Sequence, residues 1–377
     1  MLDYLFIENE RDLKTVSDTF GRCQTIAVDL EADSMFHFKE KVCLIQMASD
    51  SLTVVIDPLK INDMSPLKPV FSDPDIRKIF HGSDYDVRSL NRDYDIHINN
   101  LFDTELASRF LGINETGLSS VLGQRFNVRL DKSYQKKDWS QRPLPRGMIE
   151  YGACDVLHLL PLADILDSEL KEKKRTEWVR EECELLSRVR CPSPNGDALF
   201  LRVKGSGRLD RRALGTLERL LHLRLSIAEK KDKPLFKIIG NATLLEIARK
   251  RPRTMDILKG SKLLSPRQID TFGQDILHEI NEGLNIPEKD LPIYPRKKKP
   301  AIKPDVPKRI DGLKDWRDGV ATELCVDPPI LLNKSLLTEI AITNPANVED
   351  LKTVQGIKNW QINEFGDQII GLLNHRS

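Results

Sequence analysis

Apolar and polar residues change their spacing several times along the 377-residue chain, and each change marks an element. In Thr25-Ile26-Ala27-Val28-Asp29-Leu30-Glu31 the residues Ile26, Val28 and Leu30 alternate with Ala27, Asp29 and Glu31, the period of a strand. Strand-like runs recur at 42–48, 53–57 and 78–81, between helical stretches near 10–20, 84–92 and 103–111. This interleaving predicts an α/β unit with a mixed sheet. Residues 116–145 are less regular: Leu118 to Leu122 has a helical pattern, and Lys132 to Pro145 reads as a basic loop. From 147 to about 188 the spacing is helical again. It reads as one long stretch, with Pro161 placed to kink it, that closes the unit.

Pro192 and Pro194, with Asn195-Gly196, then punctuate the chain. Residues 207–287 are helical in pattern, with Leu214, Leu217, Leu220 and Leu221 on one face and turns at Pro234, Pro252 and Pro266. Residues 288–309 are rich in proline and carry Arg296-Lys297-Lys298-Lys299, the composition of an extended, mobile linker. Residues 310–377 return to the helical pattern and repeat the earlier one. Leu336 to Ala341 echoes Leu244 to Ala248, and a proline follows each alanine by four positions, at Pro345 and Pro252. Ile269-Asp270-Thr271-Phe272-Gly273-Gln274-Asp275-Ile276 parallels Ile362-Asn363-Glu364-Phe365-Gly366-Asp367-Gln368-Ile369. A small all-α unit is therefore duplicated. The expected division is 1–190, 207–287, a linker at 288–309, and 310–377.

Composition adds little until it is divided the same way. The net charge of +1 hides a strong asymmetry. Residues 1–200 hold 26 Lys+Arg against 34 Asp+Glu, residues 201–310 hold 26 against 13, and residues 311–377 hold 6 against 10. The middle segment is thus strongly basic between two acidic ones. A basic unit beside an acidic one points to a polyanionic partner. The competing reading is a solvated basic surface without a partner. The six cysteines are scattered with no C-x-x-C pair, which predicts reduced thiols and no zinc site. No run approaches the 18 or so apolar residues of a membrane span. The N-terminus lacks the basic-then-apolar pattern of a signal peptide. The expectation is a cytoplasmic, monomeric protein without a membrane partner.

The first segment also carries the chemistry. Asp29 and Glu31 lie two apart on a strand and so project from one face. Two carboxylates this close repel unless a cation joins them. Tyr151 and Asp155 are four apart on a helix and share a face. In His81-Gly82-Ser83-Asp84-Tyr85-Asp86 both Asp84 and Asp86 stand at an expected strand-to-helix junction, where an N-cap is the commonest role for an Asp. Hard divalent cations take oxygen ligands, and two of them can stabilise the attacking and leaving oxygens of a phosphodiester. Each pair alone is commonplace on a protein surface; their order within one stretch of domain size singles them out.

These three segments resemble the motifs of the DEDD superfamily of 3′–5′ exonucleases, in the branch with Tyr in the third motif. Val42-Cys43-Leu44-Ile45-Gln46-Met47-Ala48, Leu101-Phe102-Asp103-Thr104 and Asp138-Trp139-Ser140-Gln141-Arg142-Pro143-Leu144 narrow the resemblance to the ribonuclease D family. The duplicated unit resembles the HRDC module of that family. The resemblance implies a ribonuclease-H-like exonuclease domain followed by two HRDC-like domains. It implies an RNA substrate with tRNA precursors foremost, two divalent ions (Mg²⁺ or Mn²⁺), and Asp29, Glu31, Asp86 and Asp155 as their ligands. The family spacing favours Asp86, five residues after His81, over Asp84. Tyr151 then orients the attacking water or, alternatively, donates structurally to Glu31.

Substrate contacts are expected from Met35, Phe36 and Phe38 on the bases, with a core position as the alternative for Phe36 or Phe38, and from Lys132 and Arg142 on the phosphates. Lys136, Lys137 and Arg146 lie in the same basic stretch, and Trp139 is read as a packing anchor. With every metal ligand before residue 156, a chain lacking residues 207–377 is expected to bind RNA less tightly and to lose preference for tRNA-like substrates, yet still to cleave short oligonucleotides slowly. The second repeat, being acidic, is expected either to touch RNA or to pack on other parts of the chain. Two rivals remain: a DNA 3′–5′ exonuclease, which shares the same five residues, and a catalytically silent RNA-binding protein, which intact motifs disfavour.

Overall fold

The computed structural model describes residues 3–192, 196–295 and 304–374. Pro194, Asn195 and the basic run at 296–299 lie outside the described residues. Six strands form one mixed sheet: β1 (Leu5–Ile7), β2 (Thr25–Ala32), β3 (Val42–Ala48), β4 (Thr53–Ile56), β5 (Arg77–Phe80) and β6 (Leu101–Asp103). Their spatial order is β1-β4-β3-β2-β5-β6, and β3 runs antiparallel to both of its neighbours. Strand β3 is buried on both faces. Strand β2 alternates more, with Val28 and Leu30 in the core and Asp29 and Glu31 partly open. The short strands β1 and β6 escape a periodicity reading, because three residues hold no period.

Among the described residues eight helices accompany the sheet: α1 (Glu10–Phe20), α2 (Leu67–Ser72), α3 (Asp84–Tyr94), α4 (Thr104–Phe110), α5 (Leu118–Phe126), α6 (Arg146–Leu157), α7 (Leu159–Glu172) and α8 (Thr176–Ser187). The expected single helix from 147 to 188 is therefore three. The first break falls at His158, and Pro161 lies in the opening turn of α7, where its missing N–H has no partner to lose. It kinks nothing.

The two helical repeats follow. The first holds α9 (Arg211–Lys231), α10 (Leu235–Ile238), α11 (Asn241–Lys250), α12 (Met255–Gly260) and α13 (Pro266–Asn285). The second holds α14 (Asp305–Leu324), α15 (Pro328–Leu331), α16 (Lys334–Thr343), α17 (Val348–Leu351) and α18 (Asn359–Asn374). The duplication extends to individual hydrogen bonds, each displaced by 93 positions. Buried Arg224 donates to the Ile239 carbonyl at 3.0 Å, and buried Arg317 to that of Leu332 at 3.0 Å. Gln268 Nε2 donates to the Ile238 carbonyl, and Gln361 Nε2 to that of Leu331. The long helices end on left-handed residues, Asp232 and Cys325.

The chain divides into two compact units: residues 1–32, 42–191 and 299–377 in one, and 33–41 with 192–298 in the other. In the first, the sheet domain and the second repeat share a continuous core. Trp178 stacks on Trp360 with centroids 4.8 Å apart, and Phe110 meets Trp360 edge-on at 5.6 Å. The Glu181 carboxylate accepts from the N–H groups of Asn359 and Trp360, both at 2.8 Å, at the positive end of the α18 dipole. Lys358 pairs with Glu182. A nuclease part independent of the repeats is thus not what the structure shows, since removing the second repeat would uncover this core. In the second unit, residues 288–295, the described start of the expected linker, are not free as their composition implied. Leu291 is buried, and Tyr294 packs against Gly207 and Phe200.

Candidate active site

The site is built where β2 outruns its neighbour. β5 pairs with β2 only from Thr25 to Ala27, so Asp29 and Glu31 lie beyond the end of that ladder. On the other side they face Gln46 and Leu44 of β3, and the register slips directly after Glu31. Asp86 arrives on the first turn of α3 and is 8% exposed. The turn before it is held by the Asp103 carboxylate, which accepts from Gly82 N–H at 3.0 Å, Ser83 N–H at 2.7 Å and Ser83 Oγ at 2.8 Å. The same carboxylate caps α4 through Glu105 and Leu106. Asp84 points elsewhere: it is exposed, bonded to Arg88 one turn on at 2.8 Å, and held below the usual carboxylate range by that bond.

Helix α6 supplies Tyr151 and Asp155, both nearly buried. It approaches the sheet closely because residue 152 is glycine. A Cβ there would stand 2.6 Å from Gln46 Nε2 and 3.1 Å from Leu44 Cδ2. Trp139, 1% exposed, packs against the Tyr151 ring at 5.9 Å, the anchor role expected of it.

The acids act on one another. Burial, then Asp29, Asp155 and Asp86, raises Glu31 to about 10. Burial and then Asp29 raises Asp155 to about 8, against the opposing bond from Tyr151. Burial raises Asp29 to about 6. Burial, Asp29 and Asp103 push Asp86 well above the carboxylate range. Among the described residues no cation figures in the groups acting on these four. Burial, followed by the charges of Asp155, Glu31 and Asp29, drives Tyr151 far above an ordinary phenol, so its hydroxyl stays protonated and bonds Asp155 rather than Glu31.

Asp29, Glu31, Tyr151 and Asp155 line one cavity of about 410 Å³, together with Lys132, His81 and Glu105. Among the described residues no three acids stand in ready-made coordination geometry. The donor set nonetheless fits divalent metal: only carboxylate oxygens, partly buried and mutually repelling, with no cation of the described residues among the groups that act on them. The fold is consistent with such use.

Two residues of this cavity were missed as functional candidates. Thr104 Oγ donates to the Phe80 carbonyl at 3.0 Å, which makes His81 Nδ1, 2.9 Å from that oxygen, the donor to it. Glu105 accepts from Thr116 Oγ at 3.1 Å. Both stand beside segments already singled out, but nothing in their own spacing turns them toward the acids.

The substrate assignments fare unevenly. Lys132 is exposed and lines the cavity. Arg142 does not reach out for phosphate: all five of its N–H donors are engaged, by both Asp57 oxygens at 2.6 Å and by the carbonyls of Trp139, Gln141 and Cys43 at 2.8 Å. It fastens the 131–145 loop. Arg146 pairs with Glu150 at 2.8 Å. Met35, half-exposed, and Phe36 fall in the other compact unit, where Phe38 packs on the core of the first repeat.

Residues 4–171 match the family model of the 3′–5′ exonuclease domain, and residues 213–280 and 307–373 match that of the HRDC domain. The chain belongs to the ribonuclease D family. Ribonuclease D of Desulfotalea psychrophila is 29% identical over 340 residues, covering 89% of this chain and 90% of the relative. That of Gluconacetobacter diazotrophicus is 27% identical over 377 residues, covering 99% and 94%. Among solved structures, Escherichia coli RNase D, an exoribonuclease involved in structured RNA processing, superposes with a TM-score of 0.75 at 24% identity, covering 99% of both chains. The ribonuclease D order of one exonuclease domain and two HRDC domains thus runs the length of this chain.

Proposed function

We propose that this chain removes nucleotides one at a time from RNA 3′ ends by two-metal-ion hydrolysis, with tRNA precursors among its substrates. The observation that carries the reading is the Asp29–Glu31–Asp86–Tyr151–Asp155 set, delivered by three elements into one electrostatically coupled group with no cation of its own among the described residues. Asp29, Glu31 and Asp155 would hold one ion, and Asp29 with Asp86 a second, either Mg²⁺ or Mn²⁺. Bound there, divalent ions supply charge stabilisation for the attacking and leaving oxygens and lower the pKa of water.

The protein groups do the rest. Tyr151 keeps its proton, so it is no general base; its hydroxyl orients the attacking water. Lys132 offers an ammonium to a backbone phosphate. Water oxygen bonds phosphorus, the bond from phosphorus to the 3′ oxygen breaks, and a nucleoside 5′-monophosphate leaves a shortened RNA with a new 3′ hydroxyl. The basic first repeat serves as a sequence-independent tether for RNA. A monomeric, cytoplasmic enzyme is consistent with this reading, and among the described residues no helix is long and apolar enough to cross a membrane.

Purified protein should be offered 3′-extended tRNA, structured RNA and DNA, each with Mg²⁺, Mn²⁺ or chelator. Release of 5′-mononucleotides from RNA, dependent on metal and lost in Asp29→Asn, is the expected result. Release from DNA alone would favour the rival nuclease, and RNA binding without release would favour the silent binding protein.

A further inference from the structure

Gln46 lies on β3, between the strand that bears Asp29 and Glu31 and the helix that bears Tyr151 and Asp155. It is wholly buried, and among the described residues neither its Nε2 nor its Oε1 has a hydrogen-bond partner. A buried amide in that state is costly and rare, and a duty toward a bound ion or a reacting group is among the recognised reasons for keeping one.

The strand register names the group it serves. Directly opposite residues of neighbouring strands point to the same face of a sheet, as do residues two apart on one strand. Asp29 of β2 and Val55 of β4 stand opposite Gln46, and Leu44 and Ala48 flank it along β3. Of these four neighbours on the face, only Asp29 is polar. The face is the one that α6 covers, since a Cβ on Gly152 would stand 2.6 Å from Gln46 Nε2. All of these residues belong to one compact unit.

The residue type suits the place. A primary amide donates through its nitrogen and accepts through its oxygen, yet carries no charge. A lysine or arginine there would neutralise the acids in place of a metal ion. A glutamate would add a further negative charge to a group that already repels itself. Glutamine offers a carboxylate a donor and leaves its charge for the ion.

We infer that Gln46 is a positioning residue for the exonuclease reaction: its amide donates to the Asp29 carboxylate and fixes the orientation in which that acid takes its divalent ions. This rests on the exonuclease reading above. Removing partners that orient metal-binding side chains typically lowers metal affinity or activity by about 10–100-fold.

The test compares full-length wild type with Gln46→Met, which keeps the length of the side chain and removes both polar atoms. Melting in chelator, Mn²⁺ affinity by calorimetric titration, and turnover of a short RNA oligonucleotide are measured for each. Melting in chelator should be unchanged or higher, because an apolar group of similar shape replaces an unpartnered buried amide. Mn²⁺ affinity should fall by about tenfold or more, and kcat should fall with it. Gln46→Leu serves as the second variant, should methionine not pack beneath Gly152. Wild-type Mn²⁺ affinity and kcat in a variant that melts as wild type would overturn the inference. So would a sharp drop in melting temperature for both variants, which would make Gln46 a packing residue. A wild-type chain that neither binds Mn²⁺ nor cleaves RNA would remove the exonuclease reading, and the inference with it.

Discussion

Tyr151 shows how much chemistry rests on one hydroxyl. Its phenol is surrounded by Asp155, Glu31 and Asp29, and these charges oppose a further negative one. It can donate or orient but cannot act as a base at neutral pH. Tyr151→Phe keeps the packing against Trp139 and removes only the oxygen. Turnover should fall by roughly 10²-fold with little change in RNA binding, a positioning loss. Single-turnover kinetics beside a binding titration would separate the two, and unchanged turnover would leave the hydroxyl a structural role. The carboxylates make a second prediction. In the metal-free fold, Asp29, Asp155 and Glu31 hold protons up to about 6, 8 and 10 that the unfolded chain releases near 4. The folded state therefore binds more protons over that window, and stability falls as pH rises through it. Denaturant midpoints in chelator should be higher near pH 5 than near pH 8.5, and Glu31→Gln should flatten the slope. Added Mn²⁺ should restore stability at the higher pH, because the ion replaces the protons.

Elements place these groups, and α6 does so through one missing methyl. Gly152 lets the helix lie against Gln46 and Leu44, which brings Tyr151 and Asp155 down beside β2. Gln46 is wholly buried, so its amide has no solvent to retreat into. Gly152→Ala should cost about 1–3 kcal/mol through overpacking, despite alanine's better helix propensity. Lifting the helix should also lower kcat by more than the loss of stability accounts for. A variant of wild-type stability and wild-type kcat would show that Gln46 yields. Arg142 works at the same scale. Three of its five bonds tie the loop before α6 to Asp57 and β3 and two close the loop on itself, so this basic residue, expected to be a phosphate ligand, is a fastener.

At the scale of the whole molecule, the two repeats have parted company. The second has become part of the nuclease core through Trp360 and the Glu181 cap on α18. Trp360→Ala should destabilise the sheet domain along with the repeat, by about 3–5 kcal/mol, as for other buried Trp truncations. Denaturation of the full chain should show one lowered transition rather than unfolding of the repeat alone. The first repeat keeps the positive charge. Replacing exposed Lys230, Arg253, Lys259 and Arg267 together by alanine should weaken RNA binding and make its salt dependence shallower, by about 0.7 in slope for each phosphate that is no longer neutralised. Equal slopes across a salt series would assign these residues to protein contacts or plain solvation.

What the sequence determined by itself is what local period and composition control. Alternation in β2 put Asp29 and Glu31 on one face, helical spacing joined Tyr151 to Asp155, a repeated string revealed the duplicated unit, and counting charges located the basic repeat. Each depends on neighbours within a few residues. The tertiary structure decided whatever depends on a distant partner. Asp86 rather than Asp84 joins the acids because Asp103 fixes the intervening turn while Arg88 claims Asp84. Arg142 is taken by Asp57, 85 residues away. His81 and Glu105 come to line the same cavity as the acids only in the folded chain. The second repeat's place in the core, and the first repeat's hold on residues 36–38, are likewise contacts between segments far apart in sequence, which no spacing along the chain records.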